Sequence, residues 1–73
     1  MSDTEIRSEL NANIWKVEVS PGDAVAEGDI LLVLEAMKVE IPVEAPRAGT
    51  VGVLAVAQGQ AVVEGQVLLT LGG

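Results

Sequence analysis

The chain has 73 residues, a net charge of −7, and neither cysteine nor histidine. A chain of this length forms one small domain that buries only about 60% of the surface its unfolded form exposes. The missing residue types exclude disulfides, thiolate metal sites and the commonest catalytic bases and nucleophiles, and the acidic balance argues against a nucleic-acid partner.

The sequence carries no membrane or secretory signal. No apolar run approaches the roughly 20 residues that a membrane span needs. The first five residues, MSDTE, are polar and acidic, unlike the start of a signal peptide. We therefore predict a cytoplasmic protein with no membrane partner. Its acidic charge suits either transient docking on basic surfaces or solubility alone.

Short β-rich segments separated by turn signals follow one another along the chain. Pro21, Gly22 and Asp23 form a typical turn, because proline presets φ and glycine allows a positive φ. Eight glycines and three prolines interrupt the chain too often for helices, and Pro42 requires a strand edge or end. The sequence therefore predicts an all-β domain without helix, with strands at residues 4–8, 14–19, around 25, 30–35, 39–44, 51–56, 62–63 and 67–71.

The two halves of the chain repeat each other at an offset of 37 residues. Residues 19–34 laid on residues 56–71 give nine identities in sixteen positions, and Ile6 meets Val43 at the same offset. Since two copies are too few for a solenoid, we predict a flattened eight-stranded barrel-sandwich of two pseudo-two-fold-related halves. The single aromatic, Trp15, is expected to be a partly buried packing group. The predicted core is aliphatic: Val17, Val19, Val25, Leu32, Leu34, Ile41, Val51, Leu54, Val56, Val62, Leu69 and Leu71.

Lys38, one of only two lysines, lies in a predicted tight turn between two apolar strands. Its equivalent at the 37-residue offset falls at position 1 or 75, so the chain termini are predicted at one end of the domain and Lys38 at the other. At least one of the flanking residues Met37 and Val39 is expected to be exposed. An exposed lysine is a poor nucleophile at neutral pH and suits modification better than catalysis. On these grounds alone, Lys38 is either a covalent handle or an ordinary solvated turn residue.

The segment around Lys38 resembles the attachment signature of biotinyl domains. Residues 35–41, EAMKVEI, match the family pattern E-A-M-K-M/V-E. Further matching stretches cover nearly the whole chain: IWKV at 14–17, PGDAV at 21–25, EG at 27–28, APRAGTV at 45–51 and VVEGQVL at 62–68. The chain thus resembles the biotin carboxyl carrier module of biotin-dependent carboxylases in its small free-standing form, the biotin/lipoyl attachment protein type. Residues 1–73 are expected to form a single biotinyl domain.

This resemblance implies a covalent cofactor and a set of partner enzymes. A biotin protein ligase attaches biotin through an amide to the amine of Lys38, with Ala36, Met37 and Val39 as flanking recognition residues. Glu35 also belongs to the cofactor site. A biotin carboxylase then carboxylates the cofactor with ATP and bicarbonate, and a carboxyltransferase passes the carboxyl group to an acceptor. The carrier itself, a monomer in isolation, catalyses neither step and holds no metal.

The chain departs from the family pattern in two places. Residues 9–13, ELNAN, replace a Pro-Met-x-Gly stretch, which leaves the shape of the first loop open. Residues 20–30 are too few to hold the protruding thumb of some acetyl-CoA carboxylase carriers, so a thumbless domain is expected.

Two alternatives to a biotin carrier stay open. Lipoyl domains share the fold, but typically carry Asp-Lys-Ala, with an acidic residue where this chain has Met37. The second alternative is an unmodified interaction module. A discrete enzyme is disfavoured. The only paired carboxylates, Glu35 and Glu40, are interpreted as solvated cross-strand neighbours, and most of the other acids occupy turns.

Overall fold

The computed structural model describes residues 3–73, which form eight strands and no helix. Predictions that concern Met1 and Ser2 lie outside the described residues. No helix long and apolar enough to cross a membrane occurs in the described part of the chain. The strands are β1 (Thr4–Arg7), β2 (Ala12–Val17), β3 (Ala24–Val25), β4 (Ile30–Ala36), β5 (Val39–Glu44), β6 (Gly49–Leu54), β7 (Ala61–Val62) and β8 (Val67–Gly72).

The strands form two four-stranded antiparallel sheets that share one aliphatic core. One sheet, called here the hairpin sheet, has the order β5-β4-β2-β7, and the other, the terminal sheet, has the order β1-β8-β6-β3. The predicted all-β fold is confirmed, and its form is a sandwich of two sheets rather than a closed barrel. Pro42 lies in β5, which is an edge strand, as predicted for a residue that has no backbone N–H.

The internal repeat is a structural symmetry. The 37-residue offset maps β2 onto β6 and β4 onto β8, and it carries the pairing of Leu32 with Val43 onto that of Leu69 with Ile6. The turns match as well: the Gly22 N–H donates to the Val51 carbonyl at 2.7 Å, and the equivalent bond joins Gly59 to Ile14 at 2.7 Å. The predicted pair of pseudo-two-fold-related halves is confirmed.

Side chains cap the turns in both halves with different chemistry. The Asp23 carboxylate accepts from the Ser20 N–H at 2.9 Å, which is the Asx-type bonding that the sequence predicts there. At the equivalent place in the second half, the Gln60 side-chain oxygen accepts from the Ala57 N–H at 3.1 Å. A carboxylate and an amide thus serve the same backbone geometry, so the exposed Asp23 side chain has a structural role in its turn.

Seven of the predicted core residues are buried, namely Leu32, Leu34, Val51, Val56, Val62, Leu69 and Leu71. The other five pack against the core while partly exposed: Val17, Val19, Val25, Ile41 and Leu54. The sequence analysis missed six buried apolar residues: Ile6, Ala12, Ile14, Leu31, Ala45 and Leu68.

Leu31 and Leu68 are buried because each is the extra residue of a β-bulge. Between Ile30 and Leu32 the ladder of β4 with β5 advances two residues on β4 for one on β5, and the equivalent irregularity lies in β8 at Leu68. A bulge turns two successive side chains to the same face, which breaks the strict alternation of a strand. Two neighbouring leucines therefore enter the core in each half.

The two places where the sequence departs from the family pattern are the loop before β2 and the connection between β2 and β4. In the loop before β2, the buried Ser8 hydroxyl donates to the Leu10 carbonyl at 2.6 Å. Leu10 packs against the core, so this segment holds its place without the family's Pro-Met-x-Gly stretch. Between Val17 and Ile30 the chain forms only two turns and β3, so the predicted absence of a thumb is confirmed.

Candidate functional site

Lys38 lies in a two-residue turn that closes the β4–β5 hairpin. Ala36 pairs with Val39, which leaves Met37 and Lys38 as the two turn residues. Their φ angles are 53° and 66°, so both adopt left-handed backbone conformations. Two successive positive φ values define a type I′ turn, whose twist matches that of the flanking strands.

This turn is formed by residue types that ordinarily avoid it. Asn-Gly is the preferred sequence for a type I′ turn, because side chains other than Asn, Asp and Gly are disfavoured at positive φ. Met37 and Lys38 are the only non-glycine residues with positive φ among residues 3–73. Strained backbone of this kind concentrates at functional sites and persists where the surrounding structure enforces it. Here the long β4–β5 ladder enforces it.

The turn presents its side chains to solvent. Met37 is 96% exposed and Val39 is 58% exposed, which confirms the prediction that at least one of these two neighbours of Lys38 is exposed. Lys38 is exposed, and within residues 3–73 its amine makes no hydrogen bond or ion pair. The other lysine, Lys16, lies 3.5 Å from the Glu18 carboxylate. Lys38 thus offers an uncommitted amine between two exposed apolar groups.

An acidic pair adjoins the turn. Glu35 and Glu40 are direct cross-strand partners, as the sequence predicts, and Glu35 is the more buried of the two. Ala36, between Glu35 and the turn, is half-buried against the core. The four residues predicted to flank the attachment site therefore lie together around Lys38, with Ala36 half-buried and Met37 and Val39 exposed.

An open groove of about 480 Å³ borders Lys38 and extends across the end of the hairpin sheet. Besides the hairpin, its lining includes Asn11 from the loop before β2, Asn13 from β2 and Ala61 from β7. The sequence analysis missed these residues, because the pairing of Asn13 with Glu35 joins strands that are distant in the sequence. The Asn11 side chain accepts from the Glu64 N–H at 2.8 Å, which fixes the groove wall.

The site suits a group bonded through an amide at the Lys38 amine. Such a group would displace no existing contact of that amine within residues 3–73, and it would find open space beside the turn. Across the same residues, no cluster of three or more acidic or other metal-ligating side chains is present. The turn itself presents one exposed amine, that of Lys38.

Comparison with known proteins gives consistent matches. A family model for biotin/lipoyl domains, described as “Biotin-requiring enzyme”, matches residues 5–71. The chain is 39% identical over 67 residues to the biotinylated protein TB7.3 homolog of Mycobacterium leprae, covering 92% of this chain and 94% of that protein. It is 43% identical over 63 residues to the biotin/lipoyl attachment protein of Bacillus subtilis, covering 86% of each.

A solved structure agrees in detail with this fold. It is a single-chain, multi-domain long-chain acyl-CoA carboxylase, which matches 97% of this chain with a TM-score of 0.90 and 30% identity. The match spans only 7% of that enzyme, so it concerns one domain of it. Because the family model covers residues 5–71 and two relatives of similar length share 39% and 43% identity, the chain belongs to the biotin/lipoyl domain family of biotin-requiring enzymes.

Proposed function

We propose that the chain is a biotin carboxyl carrier and that the Lys38 amine is its attachment point. The observation that carries this proposal is the exposed Lys38 amine, free of partners within residues 3–73, at the tip of a strained turn. Residues 1–73 then act as a single biotinyl domain. Biotin, when bound, supplies a ureido nitrogen that carries a carboxyl group between two active sites.

The surrounding residues have separate tasks in this proposal. The β4–β5 ladder holds the turn, so that Lys38 points away from the core. Met37 and Val39 form an exposed apolar surface that a biotin protein ligase can contact, and Glu35 places a negative charge next to this surface. The Lys38 amine must lose its proton within the ligase before it becomes an amide nitrogen, because a protonated amine is no nucleophile.

The carrier is non-catalytic in this proposal, and its partners do the chemistry. These partners are a biotin protein ligase, a biotin carboxylase and a carboxyltransferase, as subunits or as domains of a larger enzyme. We place the carrier in the cytoplasm in this proposal, because its first residues, MSDTE, are polar and acidic, unlike the start of a signal peptide.

Biotin is favoured over lipoate at the same amine. A lipoyl domain typically has an acidic residue immediately before its lysine, and this chain has the exposed Met37 there. The match to a carboxylase domain at a TM-score of 0.90 also supports a biotin cofactor. No residue of the site favours an unmodified interaction module over a biotin carrier or a lipoyl carrier.

Streptavidin capture tests the attachment residue. The protein is produced together with a biotin protein ligase, as wild type and as the variants Lys38→Arg and Lys16→Arg. Because Lys16 is the only other lysine and is also exposed, it is the matched control. We expect streptavidin to capture wild type and Lys16→Arg, and to capture no Lys38→Arg protein. Capture of Lys38→Arg would refute Lys38 as the site.

A further inference from the structure

The groove beside Lys38 contains a row of side chains that crosses three strands of the hairpin sheet. Asn13 on β2 pairs with Glu35 on β4 on one side and with Ala61 on β7 on the other. Asn13 is exposed between two buried neighbours, so the row lies on the outer face of the sheet. All three residues of the row line the groove, together with Lys38 itself.

The polar groups of the groove have hydrogen-bonding capacity to spare. Within residues 3–73, the side-chain amide of Asn13 and the carboxylate of Glu35 make no hydrogen bond or ion pair. Asn11 uses its side-chain oxygen for the Glu64 N–H, and its NH₂ group has no partner among the same residues. The groove therefore offers amide donors next to a carboxylate acceptor.

The terminal sheet has the same backbone positions with different chemistry. At the 37-residue offset, the equivalents of Asn13 and Glu35 are Thr50 and Gly72, which pair with each other in the same way. Because this pairing forms there with a hydroxyl and a bare backbone, the fold does not require an amide and a carboxylate in the row. Their position beside the attachment lysine points to a ligand.

The tether at Lys38 decides which ligand this is. The Asn13–Glu35 pair lies one residue before Ala36, whose pairing closes the turn, so a long group bonded to the Lys38 amine can fold back over it. Such a group has an effective concentration in the millimolar range at the groove. Contacts too weak to hold a free ligand are therefore sufficient here.

The groove matches the chemistry of the bicyclic ring of biotin. The ureido part of this ring has two N–H donors and one carbonyl acceptor, and its sulfur-containing part is apolar. The Glu35 carboxylate is an acceptor for a ureido N–H, and the Asn13 amide is a donor for the ureido oxygen. Ala61 and the exposed Met37 provide apolar surface for the remainder of the ring.

We propose that this groove is a docking site, on the carrier itself, for the ring of the biotin bonded to Lys38, with Glu35 and Asn13 as the ring-binding residues. This inference rests on the proposed carrier function. The ring lies in the groove between visits to the partner enzymes and leaves it to enter their active sites. Glu35 and its neighbour Glu40 make the groove selective for an uncharged ring, because like charges repel.

Side-chain amide resonances report directly on the groove. We compare the ¹H–¹⁵N spectra of the unmodified and the biotinylated chain. We expect the Asn13 NH₂ resonances to shift on biotinylation, and nuclear Overhauser effects to join ring protons to the Asn13 NH₂ group and the Ala61 methyl group. The side-chain amides that do not line the groove are internal controls and should not move: Gln58, Gln60 and Gln66.

The rate of streptavidin capture provides a second readout, because a docked ring is inaccessible to streptavidin. With purified, fully biotinylated proteins, we expect Asn13→Thr and Glu35→Ala each to be captured about threefold faster than wild type, since each removes one hydrogen bond to the docked ring. Glu44→Ala is the matched control, because it removes the same charge from an exposed strand residue outside the groove. It should be captured at the wild-type rate.

The outcomes separate this inference from the proposed function. An absence of nuclear Overhauser effects between the ring and Asn13 or Ala61 in the biotinylated chain would overturn the docking site and leave the carrier function intact. Equal capture rates for all four proteins would do the same. A chain that the ligase leaves unmodified at Lys38 would instead overturn the carrier function, and the docking site with it.

Discussion

Glu35 lies directly across the β4–β5 ladder from Glu40, one residue pair before the turn that holds Lys38. Like charges at directly opposed positions destabilise a pair of strands. Two carboxylates therefore weaken the hairpin at the point where it must hold a strained turn. An arrangement that costs stability beside a functional lysine is consistent with recognition by a partner.

Replacing Glu40 with lysine should stabilise the hairpin. Glu40→Lys converts a repulsive cross-strand pair into an attractive one, and we expect the free energy of unfolding to rise by about 0.5 kcal/mol. Urea denaturation at low salt measures this change. Glu44→Lys is the matched control, because it makes the same charge change on the same strand opposite Ile30.

Equal stabilisation by both substitutions would show that reduced net charge, and not the opposed pair, is responsible. The effect of Glu40→Lys should also shrink as salt is raised, because exposed charges are screened.

Replacing Met37 should relieve the turn and impair the site. Asparagine tolerates positive φ far better than methionine, so we expect Met37→Asn to raise the free energy of unfolding by about 0.5 kcal/mol. Biotinylation by the ligase should slow at the same time, since the exposed thioether side chain is lost. Urea denaturation and an initial-rate assay measure the two effects.

Val39→Asn serves as the comparison, because Val39 is exposed but is a strand residue whose φ is not positive. It should lose stability rather than gain it, since asparagine is disfavoured in strands. A Met37→Asn variant that is less stable than wild type would contradict the assignment of strain to this position.

The bulged leucines predict an unequal response in β8. Leu68 is fully buried, and its truncation in Leu68→Ala should cost about 2–5 kcal/mol. Val67→Ala, at a half-buried neighbour, should cost clearly less. Urea denaturation at low temperature compares them. A cost under about 0.5 kcal/mol for Leu68→Ala would mean that strict alternation holds and that this side chain faces solvent.

The repeat explains why so much of this fold is predictable. An offset of 37 residues relates nine identical pairs, and the structure carries the same offset through β2 and β6, β4 and β8, and the glycine turns. The turns were predictable because glycine and proline impose their own backbone geometry.

Two features were not predictable from residue patterns. Leu31 and Leu68 depend on bulges, which form where the register between two strands shifts and leave no local sequence signal. The left-handed turn at Met37 and Lys38 opposes the preferences of both residues, and only the flanking ladder imposes it. Both features are tertiary in origin, and the second lies at the site itself.

The mass of the intact protein, followed by peptide mapping, tests the carrier function most directly. The protein is purified from cells that contain both a biotin protein ligase and a lipoate ligase. We expect the mass to increase by one biotinyl group, carried by the peptide that contains Lys38. A lipoyl increment, a biotinyl group on Lys16, or an unmodified chain in cells that biotinylate other carriers would contradict it.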